Sequence, residues 1–111
     1  MIEGLSPNQP IHINENGGKQ SATPYAFHLI PPNAMFALAK VIAEGEKYGE
    51  GNWRLIPIVD HICHALQHLY GFLAGDDQDA HLSHSLTRIA FAVELETLEK
   101  EAKRHENAVN N

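Results

Sequence analysis

The stretch that decides the fold is DHICHALQHLYGFLAGDDQDAHLSHSLTR, residues 60–88, which holds five of the eight histidines of the chain. Its first half has apolar residues at the spacing of one α-helical face. The histidines of this half lie on a neighbouring stripe, because residues three, four and seven apart fall close together around a helix axis. The apolar stripe is Ile58, Ile62, Leu66, Leu69 and Leu73, and the polar stripe is His61, His64 and His68.

The second half of this stretch repeats the arrangement on another predicted helix. Between the two, Gly75 suits the C-terminal cap of one helix, and aspartates suit the N-terminus of the next. Because so short a connection makes consecutive helices antiparallel neighbours, the two polar lines are expected to face one cleft inside a helical bundle. On the second helix the apolar line is Leu82, Leu86, Ile89 and Val93, and the polar line is His81, His84 and Arg88.

Helical patterns predict an all-α, three-helix bundle, with helices over roughly residues 32–48, 57–74 and 79–103. Residues 1–24 are rich in Pro, Asn and Gly and are predicted to form an extended N-terminal arm. Residues 25–103 form the predicted helical domain, and the polar residues 104–111 are predicted to be a frayed tail. Apolar residues cover a broad angle of the last helix, so we expect the bundle to be completed by homo-oligomerisation.

Length and charge limit the classes of function. A chain of 111 residues fits one domain, and its formal net charge of −6 argues against binding a nucleic acid polymer or an anionic membrane, because both need basic patches. The single cysteine, Cys63, has no internal disulfide partner, which suits a reducing compartment. No membrane span or signal peptide is predicted. These features predict a soluble, cytoplasmic protein.

The paired histidines suggest a metal site. Histidines occur four apart on the first helix and three apart on the second, so two such pairs can supply nitrogen ligands to a transition metal. Two other interpretations stay open: the imidazoles could bond only to the nearby aspartates, or they could contact a ligand without a metal. The candidate metal ligands are His64, His68, His81 and His84, with oxygen from Asp76, Asp77 or Asp79.

Two loops contain candidate ligand-binding residues. Gly17-Gly18-Lys19 is a flexible pair followed by a cation, which could fold over phosphates or remain a plain surface loop. Trp53, beside glycines, could stack on a base or anchor the core of the bundle. Asn52 could bond to a ligand or satisfy its own turn.

An ordered set of short motifs runs through residues 17–97. In chain order the motifs are Gly17-Gly-Lys19, Leu29-Ile-Pro-Pro32, Gly45-Glu-Lys-Tyr-Gly49 with Asn52-Trp53, His64-Ala-Leu-Gln-His-Leu69, Gly75-Asp-Asp77 and His81-Leu-Ser-His84. Together they resemble the dATP/dGTP diphosphohydrolase family of small all-helical proteins. That family is often phage-encoded and is similar to the MazG-like nucleotide pyrophosphohydrolases. The resemblance therefore places the predicted protein in the host cytoplasm if a phage encodes it.

The resemblance implies hydrolysis of a purine deoxynucleoside triphosphate to the monophosphate and pyrophosphate, with a divalent metal that is usually magnesium. The metal would neutralise the triphosphate and activate water, while lysines would stabilise developing negative charge. Carried onto matching positions, His68, Asp76, His81 and His84 would line the metal or catalytic region, with the first three as catalytic residues and His64 as a further ligand. The predicted nucleotide contacts are Lys19, Lys47, Asn52, Trp53 and Arg88.

Two features depart from the MazG-like pattern. Those proteins hold magnesium with paired acids, ExxE and ExxD, whereas the helices here carry histidines, and Glu44 and Glu46 are expected to project in different directions. Imidazole favours manganese, with zinc as an alternative, over magnesium. Arg88 stands where related sequences often have asparagine, and its guanidinium would suit a phosphate. The alternative function is therefore a nucleotide-binding protein without turnover, of the sponge type.

Overall fold

The computed structural model describes residues 2–5 and 7–110. Two compact units, Met1–Pro31 and Pro32–Asn111, follow each other along the chain and are described separately. The second unit begins at the Pro31-Pro32 pair, later than the boundary after residue 24 that composition predicts. Proline keeps the preceding residue out of helical conformation but suits the first position of a helix, so this pair is a natural boundary.

The first unit contains a small antiparallel sheet where an extended arm was predicted. Its strands are β1 (Ile11–Ile13) and β2 (Lys19–Ser21), and a 3-10 turn follows at Phe27–Leu29. In the connecting turn the Asn14 carboxamide oxygen accepts hydrogen bonds from two backbone N–H groups, and Gly17 has a φ of 81°. Asparagine and glycine stabilise such a turn. The all-α prediction is thus right for the main elements but misses this hairpin.

The second unit contains three α-helices, as predicted: α1 (Pro32–Glu44), α2 (Ile58–Leu73) and α3 (His81–Asn110). Two 3-10 turns, Gly45–Tyr48 and Asn52–Leu55, lie between α1 and α2. The first of these replaces the last turn that the sequence pattern predicts for α1. α3 packs against both α2 and α1.

α3 extends further than expected. It continues to Asn110, beyond the predicted end at residue 103. That residues 104–111 form a frayed tail stays a prediction. This segment lacks glycine and proline and is rich in Glu, Ala, Lys and Arg, which have high helix propensity. Among the described helices, none combines the length and the apolar character that crossing a bilayer requires.

α2 and α3 pack through their polar faces. The pairs in contact follow the order of an antiparallel helix pair, and the small side chains between them let the helices approach closely. Ala65 is 1% exposed, and the buried Ser85 hydroxyl donates a hydrogen bond to its carbonyl oxygen. We call this line of contacts the polar seam: His61 with Arg88, Ala65 with Ser85, and His68 with His81.

The apolar stripes that the sequence analysis identified lie largely outside the polar seam. On α2, Ile62 is 39% and Leu66 46% exposed, and on α3, Leu86 is 37% and Ile89 40% exposed. The buried hydrophobic residues of the described chain are few, namely Ala65, Ala92 and Leu95. The chain by itself therefore leaves two neighbouring apolar helix faces partly exposed.

Replacing Ala65 with leucine tests the close packing of the polar seam. Because the side chain is buried where the helices approach, Ala65→Leu should lower the free energy of unfolding by about 1–3 kcal/mol, as overpacking does in other cores. Ala102→Leu, at an exposed position of α3, is the matched control and should be nearly neutral. Urea unfolding followed by circular dichroism measures both, and equal stabilities would contradict the observed packing.

Candidate functional site

The helical unit contains two adjacent polar features. The first is a histidine–aspartate cluster where α2 ends and α3 begins. The second is a cleft next to the segment that connects α1 to α2, with a volume of about 780 Å³. His84 belongs to both features, because it contacts the cluster and lines the cleft.

Two imidazoles meet at the centre of the cluster. The Nδ1 atoms of His68 and His81 are 3.0 Å apart, which confirms the prediction that the polar lines of the two helices face each other. Asp79 Oδ2 lies 3.8 Å from His68 Nδ1. One ligand atom from each of these three residues lies within 4.8 Å of the others, so the group has the spacing of a metal-binding triad.

Asp76 orients His81 from outside this triad. Its Oδ2 lies 2.6 Å from His81 Nε2, the nitrogen on the far side of the ring from His68. A carboxylate only accepts, so the proton sits on Nε2, and the lone pair of Nδ1 points to the side of His68, where it can accept a proton from that ring or bind a metal. A carboxylate on the second nitrogen is the usual support of a metal-binding histidine. Asp76 is thus placed to orient His81, and Asp79, another of the predicted oxygen ligands, lies in the triad. A ligand role of Asp76 stays a prediction.

The pKa of the His68 imidazole is lowered, which suits a metal ligand. Burial lowers the pKa of its imidazole, and the charge of His84 lowers it further, while Asp79 opposes both effects. The neutral ring is therefore favoured, and neutral imidazole is the form that binds metals. Two nitrogens 3.0 Å apart also need one proton or one cation between them.

The other predicted metal ligands take different positions. His84 Nε2 lies 3.3 Å from Asp79 Oδ1, and its ring stacks on His68 with centroids 5.0 Å apart. His64 is exposed and lies outside the triad, because it is one turn before His68 on α2, at the level where Ala65 contacts α3. Asp77 is exposed and accepts a hydrogen bond from Gln78.

The cleft collects the predicted nucleotide contacts of the helical unit: Lys47, Asn52, Trp53 and Arg88 all line it. Lys19, the remaining predicted contact, lies on β2 in the first unit, so its role stays a prediction. The 3-10 turns explain why residues of one short segment converge. Gly49 and Gly51 have φ angles of 100° and 74°, which allow the chain to reverse between these turns.

Trp53 anchors the cleft to α3. Its ring stacks on Phe91 with centroids 4.8 Å apart and an interplanar angle of 3°, and the Arg54 guanidinium lies 5.1 Å from its centroid. Of the two roles open for Trp53, the geometry supports core anchoring, because the stack on Phe91 already occupies a ring face.

His61 is a member of the site that the sequence analysis did not single out. Its side chain is fully buried, with Nε2 3.0 Å from the Trp53 carbonyl oxygen and Nδ1 3.1 Å from an Arg88 guanidinium nitrogen. The signal was present in the sequence, since His61 shares the polar stripe of His68 two turns away. Its burial depends on the packing partner of α2, which the stripe alone does not identify.

Charges of both signs line the cleft. Glu44 and Glu46 were expected to project in different directions, yet both line the cleft. The α-helix ends between them, and the chain continues as a 3-10 turn from Gly45. Within residues 2–5 and 7–110, no carboxylate lies within ion-pair distance of Lys47 or Arg88. These cations therefore keep their charge available to an anion in the cleft.

A glycine of α2 allows His81 to pack closely, and an alanine there should displace it. A Cβ at Gly71 would lie 2.8 Å from His81 Cε1 and 2.9 Å from Nε2, so the ring must shift in Gly71→Ala. We expect zinc affinity to fall by ~10–100-fold, the loss typical of disturbing the support of a metal-binding histidine. Calorimetric titration with zinc measures it. The control is Gly45→Ala, whose Cβ meets no atom within 4 Å, and equal affinities would contradict the expectation.

One comparison with known proteins identifies a family. A profile described as "dATP/dGTP diphosphohydrolase, N-terminal" matches residues 14–105, which span both polar features. No curated protein and no solved structure matches the chain. Because the profile covers most of its length, the chain belongs to the dATP/dGTP diphosphohydrolase family.

Proposed function

We propose that this protein hydrolyses purine deoxynucleoside triphosphates to the monophosphate and pyrophosphate with the help of a divalent metal. The observation that carries the proposal is the position of His84, which contacts Asp79 of the triad and lines the cleft. A group with the spacing of a metal site and a cleft of ligand size are therefore adjacent. The family supplies the expected chemistry, and a cleft of about 780 Å³ is of the size that holds small ligands.

The donor set of the triad fits a divalent metal. His68 and His81 offer imidazole nitrogen and Asp79 offers carboxylate oxygen, a combination that favours manganese or zinc over magnesium. A bound ion would neutralise triphosphate charge and acidify an attacking water. Asp76 would hold the His81 ring in place through its bond to Nε2. His84, which contacts Asp79 and lines the cleft, would link the triad to a ligand bound in the cleft.

The cations of the cleft would bind the phosphates. Lys47 and Arg88 line it without an ion-pair partner in the described chain, so each would interact with phosphate oxygens and stabilise the negative charge that develops as the bond breaks. Asn52 lines the same cleft and carries an amide that suits a sugar or a base edge. We place this activity in the cytoplasm, the compartment that the single cysteine suits.

Nucleotide binding without turnover is the second candidate function. The histidines that stand where the MazG-like pattern has paired acids favour it, because Lys47 and Arg88 of the cleft could bind phosphates without that acidic magnesium site. The two functions differ in one readout. A binding protein would return the triphosphate unchanged after denaturation, whereas the enzyme would return monophosphate.

We further propose that a second copy of the chain covers the exposed apolar faces of α2 and α3. These faces run side by side on antiparallel helices. A single copy of the chain buries few hydrophobic residues, so its hydrophobic core is small. Pairing with an identical face would give a four-helix arrangement, and apolar area removed from water stabilises it by about 25 cal/mol per Å².

Turnover and its dependence on the triad can be measured together. With dATP or dGTP and manganese, the products should be the monophosphate and pyrophosphate. Asp79→Asn removes a charged ligand and should lower kcat/KM by at least ~10–100-fold. Asp77→Asn, on the same turn but outside the triad, should keep the activity. Absence of product with every purine triphosphate and metal would remove the enzyme proposal, and an active Asp79→Asn variant would remove the triad from it.

A charge in the apolar face should prevent self-association. Leu66 is 46% exposed on α2, so Leu66→Glu would bury a carboxylate in the proposed interface and leave a folded monomer. Val109→Glu, 70% exposed near the end of α3, is the control and should leave the assembly intact. Size-exclusion chromatography with light scattering decides the question, and a wild-type monomer at micromolar concentration would refute the interface.

A further inference from the structure

His61 joins two parts of the cleft that are distant in sequence. Its fully buried ring lies between the Trp53 carbonyl oxygen, 3.0 Å from Nε2, and an Arg88 guanidinium nitrogen, 3.1 Å from Nδ1. The ring centroids of Phe91 and His61 are 5.5 Å apart. One imidazole thus connects the 3-10 turn beside the cleft to the N-terminal third of α3.

The hydrogen bonds define the protonation of His61. A carbonyl oxygen can only accept, so Nε2 carries the proton. A guanidinium can only donate, so Nδ1 is bare and accepts. The ring is therefore neutral, and both of its nitrogens are used. A hydrogen bond from a charged donor is about twice as strong as one between neutral groups, so this contact holds the guanidinium firmly.

This bond leaves most of the guanidinium available to a ligand. Arg88 lines the cleft, and among the residues that the structure describes His61 is its one hydrogen-bond partner. A guanidinium has five N–H donors in a planar fork, so one bond to His61 fixes the plane and leaves the others free. That geometry suits the oxygens of a phosphate, which arginine binds in pairs.

We infer that His61 is a positioning residue, which orients the Arg88 guanidinium in the cleft for the phosphate oxygens of the ligand. The inference rests on the proposed function, which names a nucleoside triphosphate as the ligand of the cleft. Binding of the phosphate groups needs no hydrolysis, so it can be tested apart from turnover. His61 acts through Arg88 and does not itself contact the phosphates.

A purely structural role would give a different pattern of effects. If His61 only tied the Trp53 turn to α2, its loss would weaken anion binding by the same factor whether or not Arg88 is present. If it acts through Arg88, its loss has no further effect once the guanidinium is gone. Non-additivity of neighbouring substitutions is the measure of such coupling.

The test measures binding of inorganic pyrophosphate by calorimetry, with a chelator present so that metal binding does not contribute. Arg88→Met should weaken binding at least ~10-fold, since each hydrogen bond to a charged group contributes about that factor. His61→Phe keeps a ring but removes both hydrogen bonds, and should weaken binding ~10-fold by the same reasoning. His61→Gln retains one donor and one acceptor and should restore most of the affinity.

The double variant decides the inference. His61→Phe combined with Arg88→Met should bind pyrophosphate as weakly as Arg88→Met alone, whereas a further ~10-fold loss, the full effect of His61→Phe, would overturn the positioning role. A wild-type protein that does not bind pyrophosphate would overturn it as well. His105→Phe, at an exposed position of α3, is the control and should bind like wild type.

A spectroscopic measurement keeps the test independent of the folding of any variant. In the wild-type protein, nitrogen-15 spectra of the imidazoles should show His61 as the neutral tautomer with its proton on Nε2. A proton on Nδ1 would overturn the inference, because that nitrogen could then not accept from Arg88. Failure to hydrolyse any nucleotide would remove the proposed enzyme but would leave the pyrophosphate and tautomer results as they are.

Discussion

The helical unit depends on the polar seam, where α2 and α3 pack through histidines and small residues and not through their leucines. Burying polar groups costs free energy unless each one finds a partner. In the described chain, every buried side-chain nitrogen and oxygen has one. The two helices are held against sliding along each other, because a shift of one residue would break the hydrogen bonds of His61, Ser85 and His81 together. Register is thus set by hydrogen bonds, while the close approach is set by Ala65.

The two polar features of the site are consequences of the same seam. At the end near the interhelical turn, His68 meets His81, and the aspartates of the turn are brought next to both rings. At the other end of the seam, the Arg88 guanidinium donates a hydrogen bond to the His61 imidazole, and both residues line the cleft. His68 and His81, which we propose as metal ligands, and Arg88, which we propose as a phosphate contact, therefore lie on one helix pair, where packing fixes their separation. Rigid elements hold such constellations more precisely than loops do.

Much of this arrangement followed from spacing. The two helix patterns, the short acidic turn and the meeting of His68 with His81 all follow from helical periodicity, which places residues three and four apart on one face. The orienting position of Asp76, and which of the three candidate aspartates joins the triad, did not follow, because both depend on how the turn folds back over His81. The β-hairpin was missed because its strands are three residues long and carry no sustained period. The helical tail was missed because polarity was given more weight than helix propensity.

By itself, the sequence determined the helices, the antiparallel order of α2 and α3 and the family, because these follow from local periodicity, turn chemistry and an ordered set of motifs. Only the tertiary structure decided which residues of the polar faces are buried where α2 and α3 meet. Helical period places a residue on a stripe, but its burial depends on the partner surface of α3, where Ser85 and Arg88 supply hydrogen bonds to Ala65 and His61. That surface buried His61, which periodicity could place on a stripe but could not place in a core.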